Sequence, residues 1–191
     1  GYALPGNPEL ASELAARDAS FTHNRTGIYG TMFIAAIISC AQVMKNKEEI
    51  IRTALKYVPQ KSRFFVRSKI CLEEILKASD WEDGYKKINN ILNEYGHCRI
   101  YQEIGMMINS FLFANNIYEG ICIQVSQGAD TDSFGASVGS LMGCYYGPEG
   151  LDKKWLEIFN DDIHTGMAWF FERSVSNLAK RMGRLPVNLS K

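Results

Sequence analysis

Apolar residues recur at helical spacing in one segment after another, and this pattern constrains the fold more than any other feature. Between residues 48 and 58, for example, the apolar positions 50, 51, 54, 55 and 58 share one face of a helix. Similar segments follow as far as residue 182, separated by capping residues, glycines and prolines. No segment shows the strict alternation typical of a half-buried strand. The sequence therefore predicts an all-α fold, in one domain over residues 1–191.

Several helix starts are marked by residues that cap a first turn. Asn7 stands directly before a proline and a glutamate, a combination typical of a helix start. Ser62 and Asn116 stand in the same way before later apolar segments. Towards the end of the chain we expect a short helix over residues 151–159 and a long one over residues 163–182.

One long uncharged segment raises the question of a membrane span. Residues 26–44 form 19 consecutive uncharged positions, close to the roughly 20 that a membrane helix requires. The segment nevertheless contains glycine, threonine, serine and glutamine, and its continuously apolar centre covers only residues 32–38. We therefore interpret it as a buried core helix and expect no membrane partner.

Charge and cysteine content narrow the possible classes of protein. The chain has 21 Lys and Arg and 21 Asp and Glu, so its formal net charge is zero. A nucleic-acid partner held by a basic surface field is not expected. The five cysteines form no C-x-x-C pair, and their number is odd, which does not fit a disulfide framework. We expect a reducing compartment, the cytoplasm.

The segment from Gly128 to Ser133 carries the strongest chemical signal. Asp130 and Asp132 stand two residues apart at a predicted loop-to-helix junction, and Ser133 follows directly. At a helix start such side chains can converge on one point, and their oxygen atoms suit Mg²⁺, Mn²⁺ or Ca²⁺ better than Zn²⁺. Gly128 gives the backbone freedom to turn before them. The segment is therefore a candidate metal site.

An EF-hand loop and a helix cap are two other possible roles for this segment. An EF-hand loop that starts at Asp130 needs a glutamate at its twelfth position, where Leu141 stands, so that reading is excluded. Aspartate is also a favoured helix N-cap, and the pair Asp130 and Asp132 fits a capping role as well as metal binding. From the residues alone this alternative stays open.

His23 is a candidate binding residue in a polar loop. It follows Thr22 and precedes the long apolar segment, so its ring can face a ligand. The alternative is a loop histidine that hydrogen-bonds to the backbone. His97 and His164 have no partners at metal-ligand spacing, so the sequence does not favour a zinc site.

These features together resemble the ADP-ribosylglycohydrolase family of ADP-ribosyl-acceptor hydrolases. One matching block covers residues 6–30 and includes Thr22 and His23. The other covers residues 119–147 and includes the Gly-Ala-Asp-Thr-Asp-Ser sequence with its glycine-rich flanks. The resemblance extends over most of the chain, although residues 45–115 match only in helical character.

The resemblance implies a compact orthogonal bundle of helices and a binuclear Mg²⁺ centre that could also take Mn²⁺. It implies hydrolysis of the glycosidic bond between ADP-ribose and a protein side chain or small acceptor. By this resemblance Asp130 and Asp132 are catalytic metal ligands, and Ser133 is a ligand where the family usually has threonine. His23 and Gly128 then belong to the ADP-ribose-binding pocket.

The N-terminal signatures of that family, Gly-Asp-Ala-x-Gly and Thr-Asp-Asp, are absent from this sequence. Since they supply the remaining metal ligands, we expect the chain to correspond to the C-terminal portion of a family member. A separate N-terminal half or a second copy is then an expected partner, beside ADP-ribose or an ADP-ribosylated protein. The alternative is a non-catalytic relative, either ADP-ribose-binding or structural in the manner of a crystallin.

Overall fold

The computed structural model describes residues 1–185, and their regular structure is helical. The helices are α1 (Pro8–Ala19), α2 (Thr26–Ala41), α3 (Lys47–Leu55), α4 (Arg63–Ile75), α5 (Trp81–Leu92), α6 (Ile100–Phe113), α7 (Ile117–Ser126), α8 (Thr131–Tyr146), α9 (Lys153–Phe159) and α10 (Val175–Met182). A 3-10 turn, Pro148–Gly150, follows α8. The predicted all-α fold is confirmed. The single domain over residues 1–191 stays a prediction, and its last six residues, 186–191, lie outside the described part.

The long uncharged segment forms α2, around which the bundle is built. Helices α1, α3, α6 and α8 pack against it. Phe33 and Ile37 on α2 are fully buried. The ring of Phe33 meets that of Phe64 from α4 edge to face, with 6.2 Å between their centroids. This is the buried core helix that the sequence predicted. Among residues 1–185, no helix combines the length and apolar character needed to cross a membrane.

The predicted helix starts coincide with side-chain caps. The side-chain oxygens of Asn7, Ser62 and Asn116 each accept a hydrogen bond from the backbone N–H three residues further on, at 3.2, 3.1 and 2.8 Å. Each bond satisfies a backbone donor that has no partner within the first turn of its helix. The local signals therefore set where α1, α4 and α7 begin.

The prediction of one long helix over residues 163–182 is wrong. Only Val175–Met182 is helical, while the preceding residues run outside regular helices. The aromatic side chains of Trp169 and Phe171 are 88% and 80% exposed. Since most helical stability in proteins comes from packing an apolar face, a segment without such a contact gains little by forming a helix.

Local hydrogen bonds hold this segment in its non-helical form. The backbone of Asp162 pairs with that of Ser174 in an isolated β-bridge. The carboxylate of Asp162 forms an ion pair with Arg173. Asp161 accepts hydrogen bonds from the Ser174 hydroxyl at 2.6 Å and from the Ser176 backbone N–H at 2.7 Å. Such side-chain bonds compete with helical hydrogen bonding, so α10 starts only after Ser174.

The burial of Phe33 generates a stability prediction. Phe33→Ala would leave a cavity between α2 and α4, and we expect it to lower the free energy of unfolding by about 3–5 kcal/mol. Phe21→Ala is the control, because the Phe21 side chain is 91% exposed. Its effect should stay within about 0.5 kcal/mol. Equilibrium unfolding in urea measures both, and equal losses would contradict the assigned core.

Candidate active site

A sharp turn between α7 and α8 presents the carboxylates predicted as metal ligands. Gly128 and Ala129 both have left-handed backbone conformations, with φ of +79° and +62°. This conformation is ordinary for glycine but uncommon for alanine. After the turn, Asp130 is the N-cap of α8, and the side chains of Asp132 and Ser133 lie exposed on its first turn. These three residues therefore lie together at the start of α8, and their role as metal ligands stays a prediction.

A buried hydrogen-bonded cluster anchors the residue just before this turn. Gln127 is 3% exposed. Its amide nitrogen donates to the hydroxyl of Ser110 at 2.8 Å, and its amide oxygen accepts from the side chain of Asn109 at 2.9 Å. The Ser110 hydroxyl in turn donates to the side-chain oxygen of Gln124 at 3.0 Å. Because Asn109 and Ser110 belong to α6, the cluster fixes the turn against that helix.

Asp130 is held by a thiol instead of capping its own helix. Its side chain makes no capping hydrogen bond to α8, and Oδ2 accepts a hydrogen bond from Cys98 Sγ at 2.8 Å. This bond, with smaller effects from Asp132 and Ser133, holds the pKa of Asp130 below its ordinary value. The carboxylate therefore stays charged at neutral pH. The capping interpretation does not describe the side chain of Asp130.

A cleft of about 730 Å³ lies beside this turn. The loop before α2, the segment between α5 and α6 and the first turn of α6 form its walls. The residues that line it include His23, Thr31, Cys98, Arg99, Tyr101 and Glu103. Cys98 both lines the cleft and contacts Asp130, so it connects the two parts of the site. Gly128, Asp130, Asp132 and Ser133 are not part of this lining, and Asp130 is connected to the cleft through its hydrogen bond from Cys98.

The position of His23 in the cleft depends on its neighbours in sequence. The Thr22 hydroxyl and His23 Nδ1 are 2.8 Å apart, within hydrogen-bonding distance. A Cβ atom on Gly27 would lie 2.7 Å from His23 Cδ2, which is closer than real contacts allow. Only glycine at position 27 therefore lets the imidazole ring pack on the first turn of α2. Nδ1 of His23 therefore has a side-chain partner, whereas the alternative interpretation of the sequence expected a loop histidine bonded to the backbone.

Glu103 is a cleft residue that the sequence analysis did not single out. Its carboxylate is half-buried and accepts a hydrogen bond from the Ser137 hydroxyl of α8 at 2.7 Å. Burial raises its pKa above the ordinary value, the Ser137 hydrogen bond opposes that change, and the charge of Asp130 adds to it. One signal could have revealed it, because Glu103 is the only acidic residue in an otherwise apolar or uncharged helix. Cys98 was missed as well, since a single cysteine in a loop gives no such signal.

The donor atoms at the start of α8 fit Mg²⁺ as a partial ligand set. Asp130, Asp132 and Ser133 offer two carboxylates and a hydroxyl, which are hard oxygen ligands. Mg²⁺ usually keeps several waters and needs only one or two protein carboxylates. In the part of the chain that the structure describes, no three His, Cys, Asp or Glu side chains gather closely enough to hold a metal ion by themselves.

The fold and the site together define a helical protein with a carboxylate-bearing helix start at the edge of a cleft. Comparison with known proteins shows to which family the chain belongs. The family model described as ADP-ribosylglycohydrolase matches residues 1–184, and the chain belongs to the ADP-ribosylglycohydrolase family. Membership supports a glycohydrolase-type function on ADP-ribose. No curated protein and no solved structure matches the chain.

The absence of a capping bond from Asp130 generates the second prediction. Asn116→Ala removes a true cap, because the Asn116 side chain accepts from the Glu119 backbone N–H at 2.8 Å. We expect it to lower the free energy of unfolding by about 1 kcal/mol. Asp130→Ala should destabilise the protein clearly less, since its side chain bonds Cys98 and no backbone donor of α8. Urea unfolding of both variants decides the point, and an equal or larger loss for Asp130→Ala would restore the capping interpretation.

Proposed function

We propose that this protein takes part in Mg²⁺-dependent hydrolysis of the glycosidic bond that links ADP-ribose to a protein side chain or small acceptor. The observation that carries the proposal is the hydrogen bond from Cys98 to Asp130, because Cys98 lines the same cleft as His23. Asp132 and Ser133 extend this group of oxygen donors along the first turn of α8. Family membership supplies the class of substrate.

The residues of the chain suit the chemistry of this bond. As a glycosidic bond to ribose breaks, positive charge develops on the sugar ring, and nearby carboxylates stabilise it. Asp130 remains anionic at neutral pH because of its hydrogen bond from Cys98. We propose Asp130, Asp132 and Ser133 as ligands of Mg²⁺, with Mn²⁺ as a substitute. When bound, the metal would hold ribose hydroxyls and orient a water molecule.

The remaining features of the site fit substrate binding. His23 lines the cleft, and its ring is fixed by Thr22 and by the close packing on Gly27. Gly128 has open space around it, since a Cβ there would meet no atom within 4 Å. A substrate could therefore approach the backbone closely at this point. We further propose that the ligand set is completed by groups from an N-terminal half or a second copy.

The proposal predicts a metal-dependent effect that one carboxylate controls. In a thermal melt with ADP-ribose, adding Mg²⁺ should stabilise the unmodified chain, by about 2.7 kcal/mol at a ligand concentration 100 times the dissociation constant. Asp132→Asn should abolish this stabilisation, and it should also abolish Mg²⁺-dependent release of ADP-ribose from an ADP-ribosylated peptide. The release assay is run with the chain alone and with the N-terminal half of a family hydrolase added.

Asp152→Asn is the matched control for this experiment. Asp152 is also an exposed carboxylate at a helix start, where it accepts a hydrogen bond from the Lys154 backbone N–H at 3.1 Å. Asparagine keeps such a cap, so this variant should behave like the unmodified chain. The proposal of a hydrolase fails if neither assay condition gives ADP-ribose release. Stabilisation by ADP-ribose without Mg²⁺, and unaffected by Asp132→Asn, would indicate the non-catalytic binding relative.

A further inference from the structure

We propose that Glu103 is the general acid of this site, which gives a proton to the leaving group as the bond to ADP-ribose breaks. This inference rests on the proposed function and adds a catalytic residue to it. It starts from a geometric fact, namely that Glu103 and the candidate binding residue His23 line one cleft.

A hydrogen bond from α8 fixes the carboxyl group of Glu103, a residue of the cleft wall. Oε1 accepts a hydrogen bond from the Ser137 hydroxyl at 2.7 Å, while the residue lines the cleft. Ser137 lies on α8, the helix whose first turn carries Asp132 and Ser133. The same rigid helix therefore positions the proposed acid and the proposed metal ligands, as a catalytic arrangement requires.

The second carboxylate in the cleft wall does not suit the role. Glu94 forms an ion pair with Arg67, so its carboxylate is already engaged by a cationic partner. In the described residues 1–185, Glu103 forms no ion pair and its polar partner is the neutral Ser137 hydroxyl. A carboxyl group in such surroundings can keep a proton that a paired carboxylate loses.

The charged and titratable groups that face Glu103 come from several elements. His23 approaches from the loop before α2, and Glu94, Cys98 and Arg99 from the segment before α6. Tyr101 shares α6 with Glu103, and Asp130 contributes negative charge from the start of α8. Burial raises the pKa of Glu103, the Ser137 hydrogen bond opposes this change, and the charge of Asp130 adds to it. A carboxyl group with a raised pKa serves as the proton donor in glycoside cleavage.

The proposed step conserves atoms and charge. The bond between C1″ of the ribose and the acceptor oxygen or nitrogen breaks, and its electron pair stays on the acceptor atom. The carboxyl proton of Glu103 moves to that atom, so the acceptor leaves in its protonated form. The oxygen of a water molecule then bonds to C1″ and releases one proton, which returns to the Glu103 carboxylate directly or through solvent.

The experiment compares leaving groups that differ in their need for a proton. The full chain is assayed under the condition that gives ADP-ribose release, with an ADP-ribosylserine peptide and with a 4-nitrophenyl glycoside of ADP-ribose. An alkoxide leaves poorly without a proton, whereas 4-nitrophenolate leaves without help. For Glu103→Gln we expect a fall in kcat of about 100- to 10,000-fold on the peptide and of less than about 10-fold on the nitrophenyl compound.

A pH profile supplies a readout that a purely structural role would not change. With the peptide, the unmodified chain should lose activity as the pH rises through the pKa of Glu103, because only the protonated acid acts. This alkaline limb should be absent in Glu103→Gln and retained in Glu103→Asp. Ser137→Ala is the control for positioning: it removes the hydrogen bond to Glu103 but leaves the acid, so it should keep the preference between leaving groups.

The outcomes separate failure of this inference from failure of the proposed function. If the unmodified chain releases no ADP-ribose from either substrate, both proposals are overturned. If it is active and Glu103→Gln loses equally on both substrates, or loses only through KM, the general-acid role alone is overturned. A leaving-group-dependent loss in kcat together with the lost alkaline limb supports it.

Discussion

The hydrogen-bonded cluster of Asn109, Ser110, Gln124 and Gln127 is the interaction on which the candidate site depends. These polar side chains are buried between α6 and α7, where each unpaired donor or acceptor would cost free energy. Three hydrogen bonds among them join the two helices in one register, and within residues 1–185 Asn109 Oδ1 and Gln124 Nε2 have no partner. The fit is tight, since a Cβ on Gly84 of α5 would lie 2.1 Å from Asn109 Oδ1. Three helices are thereby fixed before the chain turns at Gly128.

Two further side-chain hydrogen bonds fix the residues of the candidate site. Cys98 binds Asp130 at 2.8 Å, and Glu103 binds Ser137 at 2.7 Å, so the entry to α6 is tied twice to the start of α8. The thiol hydrogen bond lowers the pKa of Asp130, and burial raises the pKa of Glu103. In glycoside cleavage, opposite shifts of this kind accompany the separate roles of two carboxyl groups.

Much of the fold could be predicted because its signals are local. Side-chain caps such as Asn116 and Ser62 bond to backbone atoms three residues away, and helical spacing of apolar residues needs no knowledge of a partner. The prediction failed at residues 163–174, where Asp161 and Asp162 hold the chain in another form. Those residues also carry helical spacing. Spacing alone does not reveal whether a neighbouring surface exists to bury the face it creates.

The sequence by itself determined most of the helices and the family. It also picked out the candidate ligands Asp130, Asp132 and Ser133, because these lie within four consecutive residues. It also pointed to His23, through its resemblance to the family. Only the tertiary structure decided what surrounds them. Cys98 is 32 residues from Asp130, and Glu103 is 34 residues from Ser137, so neither contact leaves a local pattern. Burial and distant charges set the protonation of a carboxyl group, and both exist only once the helices have packed.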